Sequence, residues 1–458
     1  MGFSVPSRAV AGLVLAFLGV ALVLAPGHAW ARGVSLIRDS EIEHTLRDYA
    51  APLLRAAGIG ESAVTFRLVN DDSVNAFATT EMRVFINSGL IIRAEDPGEL
   101  KGVLAHEVGH LAGGHLLRLQ DQMFQAQVTS LIGAIAGAVA GMASGRPDLG
   151  AAVLLGSTHA AGRDFLSFTR AQENAADSFA LKVLEQTGQS ARGMMNFFEV
   201  MKGQEVLYSD AKDAYTRTHP LTQDRMDLIA QHVARSAYSA NESSLQDRTS
   251  FARMKAKLFA FLKPASQTLQ RYPVGRDTSV AGRYAQSIAY YRMSDLSRAL
   301  PLLDGLIAEF PRDAYFHELR GQMLFEHQRL EEAKASYATA TRLMPTEPLL
   351  LIALAHVNNE LGGTANFEAA RTAAQAALTM EPDNPFGWRQ LANAYGGLSD
   401  EGRAAWAMAE MSLSRGDPKE AQIQAKRAEA KLPAGAKERV RLKDLEAEAE
   451  RQIKRRGL

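Results

Sequence analysis

The stretch Val103-Leu104-Ala105-His106-Glu107-Val108-Gly109-His110 decides how the rest of the chain is read. Its apolar residues predict a helix, and there His106 and His110 project about 40 degrees apart, one turn along, so both imidazoles reach a single metal ion. Glu107 lies beside them, within reach of a water at that ion. The alternative is a pair of core histidines satisfied by neighbouring side chains. The chain has no Cys, which removes thiolate zinc sites, disulfides and thiol catalysis together, so any metal is held by His, Asp or Glu.

A catalytic zinc needs a third protein ligand and an open position. A third His six residues after the second would fall at position 116, which is Leu116. His115, one residue early, is rotated about 140 degrees from His110 on a continuous helix and reads as a capping or supporting residue. Further on, Glu173-Asn174-Ala175-Ala176-Asp177 places Glu173 and Asp177 on one helical face, with small Ala175 and Ala176 allowing close approach to the first helix. Glu173 then ligates, and Asp177 orients a ligand histidine through its free ring nitrogen. A surface helix carrying salt bridges is the alternative.

The surrounding 458 residues are enough for two or three domains, and 47% apolar residues with 36 Gly and 16 Pro exclude collagen-like and low-complexity chains. Equal numbers of basic and acidic side chains, 51 each, give no electrostatic case for a nucleic-acid partner. Met1–Ala31 carries Arg8, an apolar run from Ala9 to Ala25 and the small-x-small end Ala29-Trp30-Ala31, which predicts a Sec signal cleaved after Ala31 and a periplasmic protein. An uncleaved anchor is the other reading.

Helical spacing of Ile42, Leu46, Tyr49, Leu53 and Leu54 predicts an amphipathic helix ending at Gly58 or Gly60. The alternating runs Val64–Val69 and Val84–Ile86 predict a small sheet or hairpin, and Pro97-Gly98-Glu99 opens a helix reaching about residue 126. Gln122 to Gly145 has no charged residue, with Gly133, Gly137 and Gly141 at every fourth position. Its strongly apolar part, Leu131–Ala143, is shorter than the ~20 residues of a spanning helix. Together with Leu149–Gly162 it reads as a core helix pair, or else as a membrane-facing plate.

After a polar stretch near residue 236 comes a linker at 263–282, and from Arg283 the sequence repeats. Helical pairs end at Pro311, Pro345, Pro382 and Pro433, the first two intervals being 34 and 37 residues, with Ala340, Ala377 and Ala428 each five residues before a closing proline. This resembles the tetratricopeptide repeat. Lys437–Arg456, dense in both signs of charge, reads as the capping helix that a solenoid requires. The expected fold is therefore mainly α: a helical domain that carries the metal site, with a small β-sheet, over 32–262, then an α-solenoid over 283–458; the first is a metalloprotease domain on the resemblance given next.

The combination of HEVGH, ENAAD about sixty residues later, and Thr218-His219-Pro220 with Arg225 resembles the gluzincin family that includes the CaaX prenyl protease and HtpX. With an N-terminal signal and C-terminal repeats, the chain is similar to the periplasmic branch that serves β-barrel assembly. The resemblance implies one Zn2+ per chain held by His106, His110 and Glu173, with Glu107 as general base. Arg225 and Asp177 would support the ligands. His219 would either occupy the fourth zinc position and hold the enzyme latent, or stabilise the oxyanion. Asn75, in Val74-Asn75-Ala76-Phe77, would bind substrate ahead of an edge strand at Val84–Ile86. Unfolded or stalled outer-membrane proteins are the implied clients, the assembly machinery a partner of the repeats, and residues 128–162 a peripheral membrane contact. A second reading makes the chain a chaperone or scaffold with a latent protease site.

Overall fold

The computed structural model describes residues 35–144, 147–207 and 218–456. The expected signal segment Met1–Ala31 lies outside them. Helix α1 (Ser40–Ala56) starts where Asp39 accepts a hydrogen bond from the Ile42 amide at 2.9 Å. It buries the predicted stripe of Ile42, Leu46, Tyr49, Leu53 and Leu54, and the chain turns away at Gly58 with φ +72°. Capping supplies one of the amide partners that a helix start lacks, and the stripe supplies the burial that keeps the helix in place.

Four strands, β1 (Leu36–Ile37), β2 (Thr65–Val69), β3 (Ala76–Ala78) and β4 (Arg83–Asn87), form a sheet in the order β1-β2-β4-β3. β2 and β4 pair in parallel, so the two runs seen in the sequence share a sheet without forming a hairpin. The hairpin is β3–β4, with Ala76 opposite Ile86 and Phe77 opposite Phe85. This corrects the expectation that Val84–Ile86 is the edge strand. β4 is bonded on both sides, and the strand at the edge, directly after Asn75, is β3. Three residues between polar neighbours were too short for their alternation to register as a strand.

Among the described residues, seven further helices belong to this unit: α2 (Ser88–Arg93), α3 (Pro97–Gly113), α4 (His115–Ser144), α5 (Pro147–Gln186), α6 (Arg192–Leu207), α7 (Gln223–Arg235) and α8 (Leu245–Leu262). α3 runs through the core, with Leu100, Val103, Leu104, Ala105 and Val108 all buried. Asp96 caps its first turn through the Gly98 amide at 2.7 Å, with Pro97 at the first helical position. The single helix expected to reach residue 126 is broken at Gly114, whose φ of +60° is the left-handed ending that glycine adopts without strain.

α4 and α5 pack along each other. They are not the core pair that their composition suggests: Phe124, Leu131, Ile132, Ile135 and Leu155 are each more than half exposed. The packing of Gly133, Gly137 and Gly141 lies outside the described residues. Among the described residues, no helix is long and apolar enough to cross a membrane.

After the short α9 (Ala265–Arg271) come five helical pairs: α10 (Val280–Arg292) with α11 (Leu296–Glu309), α12 (Ala314–Glu326) with α13 (Leu330–Leu343), and α14 (Pro348–Leu361) with α15 (Thr364–Met380). α16 (Pro385–Gly397) with α17 (Glu401–Ser414), and α18 (Pro418–Lys431) with α19 (Glu438–Arg456), complete them. Ala340, Ala377 and Ala428 are fully buried, as small residues at helix crossings must be. Between the helices of the first four pairs the chain takes positive φ, at Ser294, at Gln328, at Gly362 with Gly363, and at Ser399. α19 closes the stack with Leu442, Leu445 and Ala449 inward.

One edge of the solenoid is tied to the first unit at three successive turns. Asp313 and Glu347 each lie two residues after the closing proline of a repeat. They pair with Arg253 of α8 and, at 2.6 Å, Arg47 of α1. In the next repeat that place is Asn384, which donates to Glu381, and Glu381 takes Arg38 at 2.8 Å and Arg67 at 2.6 Å. Behind these pairs Glu41 accepts from the Tyr284 hydroxyl at 2.9 Å and faces Arg253 at 2.6 Å, and Lys257 meets Asp39 at 2.8 Å. α8 serves both units, sending Phe251, Met254 and Leu258 into one core and Ala256 and Ala260 into the other.

Glu318 of α12 accepts from Ser40 Oγ at 2.5 Å within this cluster. Burial, opposed by Lys257 and reinforced by the nearby Asp39 and Glu41 carboxylates, pushes its pKa from 4.5 up to about 7. The folded chain therefore holds a proton here that the unfolded chain releases. The associated stability is fully present below about pH 4.5 and is lost as pH rises through about 7. Glu318→Gln should flatten this dependence, so that urea midpoints at pH 5 and pH 8 differ less than in the wild type; an unchanged difference would exclude Glu318 as its source.

Candidate metal centre

His106 and His110 project from α3, Glu173 from α5, and His219 from the segment before α7. All four are buried, and one ligand atom from each lies within 4.8 Å of the others. The two Nε2 atoms of His106 and His110 are 3.0 Å apart, and the Glu173 carboxylate is 3.3 Å from both. His219 Nδ1 stands 3.1 Å from Glu173 and 3.3 Å from His106 Nε2. Donors about 2.0–2.1 Å from a tetrahedral zinc would be roughly 3.3 Å from one another, so this set fits a zinc ion without rearrangement. Glu107 is 1% exposed, and its Oε1 has no hydrogen-bond partner among the described residues. A buried carboxylate oxygen left in this way is costly to a fold.

The helices approach closely because Gly109 faces Ala176: a Cβ on Gly109 would stand 2.7 Å from the Ala176 carbonyl oxygen. Of the two alanines singled out in the sequence, Ala176 makes this contact and Ala175 faces solvent. Asp177, fully buried, lies 2.8 Å from His106 Nδ1. Arg225 donates to Asp177 through Nε at 2.6 Å and Nη2 at 2.9 Å, and its Nη1 lies 3.0 Å from Glu173. Its guanidinium rests on the Phe198 ring, 4.9 Å from the centroid. One cation thus orders both the Glu173 carboxylate and the Asp177 carboxylate behind His106.

Burial opposes a charge on His106, but Asp177 and Glu173 outweigh it and hold its imidazole up at about 9. Burial also opposes ionisation of Glu173 and Asp177. Hydrogen bonds from His106, His110 and His219 on the one, and from Arg225 and His106 on the other, keep both pKa values well below the usual range. His110 is pushed down by burial. His115, 5% exposed, is pushed down to about 4 by burial, with His110 and Arg118 adding to the shift.

Asn75 is buried at the start of the edge strand, and its Oδ1 accepts from Thr218 Oγ1 at 3.3 Å. The structure therefore gathers every site residue chosen from the sequence: His106, Glu107, His110, Glu173, Asp177, His219, Arg225 and Asn75. Sequence reasoning missed the Thr218 link, the Phe198 ring under Arg225 and the partner of His115. His115 lies against His110, with the two Nδ1 atoms 3.1 Å apart. The available signal was Gly113-Gly114, which ends the helix on which the angular argument depended.

Residues 37–233 match the model of peptidase family M48, and residues 284–348 match a tetratricopeptide repeat model. The chain thus carries a peptidase family M48 domain followed by tetratricopeptide repeats, a metalloprotease class to which the His-His-Glu-His cluster is suited. It is similar to the beta-barrel assembly-enhancing protease of Yersinia pestis, 28% identical over 378 residues that cover 81% of this chain and 76% of that one. The protein of the same name from Escherichia coli (strain K12) is 26% identical over 382 residues, 82% and 76% of the two chains. Metalloprotease YcaL of Escherichia coli (strain K12) is 29% identical over 188 residues, covering 40% of this chain and 68% of that one.

Replacing Arg225 by Met should destabilise the protein by about 3–5 kcal/mol, because two buried carboxylates lose their shared cation. Urea unfolding of the variant beside the wild type measures this, and a loss under ~1 kcal/mol would show the pair to be dispensable.

Proposed function

We propose that the protein is a zinc-dependent endopeptidase of the bacterial periplasm that cleaves unfolded or misassembled outer-membrane proteins. The observation that carries this is the buried Glu107 Oε1, without a hydrogen-bond partner among the described residues, beside a set of two imidazoles and a carboxylate. His106, His110 and Glu173 would hold the ion. When bound, zinc supplies Lewis acidity, which polarises a peptide carbonyl and acidifies water. Glu107 takes the proton of the attacking water and delivers it to the leaving amine, while Asp177 and Arg225 keep the His106 ring and the Glu173 carboxylate in place.

β3 packs against α3, so a peptide added as a further strand beside Ala76–Ala78 would pass close to the centre, with Asn75 at its end. Recognition through the backbone selects extended chains more than a particular sequence, which suits unfolded clients. His219 Nδ1 stands where a fourth ligand would, and its Nε2 is 3.6 Å from Glu107 Oε1. This favours a latent resting state, opened when the segment carrying His219 moves. The same observation supports the second reading, a chaperone or scaffold for β-barrel assembly whose protease site stays closed most of the time.

The exposed apolar residues of α4 and α5 fit peripheral membrane contact through residues 128–162, and the repeats fit docking to the assembly machinery. The domain division at 263–282 and export through a signal ending at Ala31 belong to the same proposal. In cleavage of an unfolded model protein, Glu107→Gln should keep bound zinc and lose activity by about 100- to 10,000-fold. Undiminished cleavage by that variant would remove the mechanism. His219→Ala should cleave faster than the wild type if the histidine blocks the centre; a slower variant would instead place it at the oxyanion.

A further inference from the structure

We propose that His115 is a positioning residue, which holds the ring of His110 with Nε2 toward the metal; this rests on reading His110 as a ligand. His110 Nε2 faces Glu173 at 3.3 Å and His106 Nε2 at 3.0 Å, while on the far side of the ring Nδ1 lies 3.1 Å from His115 Nδ1. The two rings meet nearly edge-on, 83° apart in plane. Two imidazole nitrogens at that distance share one proton. A ligand Nε2 must present its lone pair to the ion, so the proton belongs on His110 Nδ1, which donates to His115 Nδ1. His106 receives the corresponding support from a carboxylate, Asp177. The two histidine ligands are therefore backed differently, one by an anion and one by a neutral ring.

Two backbone features serve this contact. Gly114, at φ +60°, ends α3 and turns the chain so that the first residue of α4 folds back over the last turn. Gly113 leaves room for the ring: a Cβ there would stand 2.3 Å from His115 Nε2 and 2.6 Å from Cδ2. The folded-back ring is buried.

The test uses the geometry of amide replacements. An Asn side chain puts its carbonyl oxygen where the histidine Nδ1 was, a Gln puts it where Nε2 was, and a Phe fills the space with no acceptor. Zinc affinity of the full mature chain is read by competition with a chromogenic chelator. His115→Asn should bind within about threefold of the wild type, whereas His115→Gln and His115→Phe should bind about 10- to 100-fold more weakly. All should unfold alike when stripped with EDTA. If Asn, Gln and Phe variants bind zinc equally, whether tightly or weakly, the proposal is overturned. Should the Phe variant not fold, the Asn and Gln contrast decides alone. A wild type that takes up no zinc would instead refute the metal reading on which the inference rests.

Discussion

The pair of Arg225 with Asp177 is the constraint on which the centre depends. It joins three elements: α7 carries the arginine, α5 the aspartate, and α3 the histidine that the aspartate holds. Both side chains are essentially without solvent, so each charge is tolerable only because of the other. The contact of Gly109 with Ala176 brings α3 close to α5, and Asp177 of α5 lies 2.8 Å from His106 Nδ1 of α3. Across this contact the Glu173 carboxylate stands 3.3 Å from the Nε2 atoms of both His106 and His110.

The sheet stands in a similar relation to the helices. β4 is held on both faces of its ladder, which leaves the short β3 as the exposed edge next to α3. Asn75 and Thr218 join that edge to the segment bearing His219. A displacement of one would be felt by the other through the Thr218–Asn75 hydrogen bond.

Much of this was legible in the sequence, because metal chemistry restricts residue types and spacings so strongly. His106, Glu107 and His110 followed from helical geometry alone, and Glu173 with Asp177 from the same reasoning applied seventy residues later. The solenoid was visible in its prolines and buried alanines. What escaped depended on local backbone conformation or on exposure. Periodicity carries no information about a left-handed residue at 114, so His115 was placed on the wrong face. The apolar α4 and α5 read as core because composition records hydrophobicity without recording what lies opposite. β3 was hidden by its length, and the left-handed turns at Ser294, Gln328 and Ser399 by their ordinary residue types.

The arginines that meet three successive turns of the solenoid have a mechanical consequence. A stack of repeats touching only their neighbours behaves as a spring, able to open or wind by small changes at each interface. Here Arg253, Arg47, and Arg38 with Arg67 pin the turns at Asp313, Glu347 and Glu381 to one rigid unit, as a splint fixes successive joints. That half of the spiral has a set curvature. Further along, α17 and α19 pair with each other, Arg403 with Glu438 at 3.0 Å and Arg441 with Glu410 at 2.8 Å. The first three repeats thereby keep their pitch against the first unit, while the final two are braced on one another.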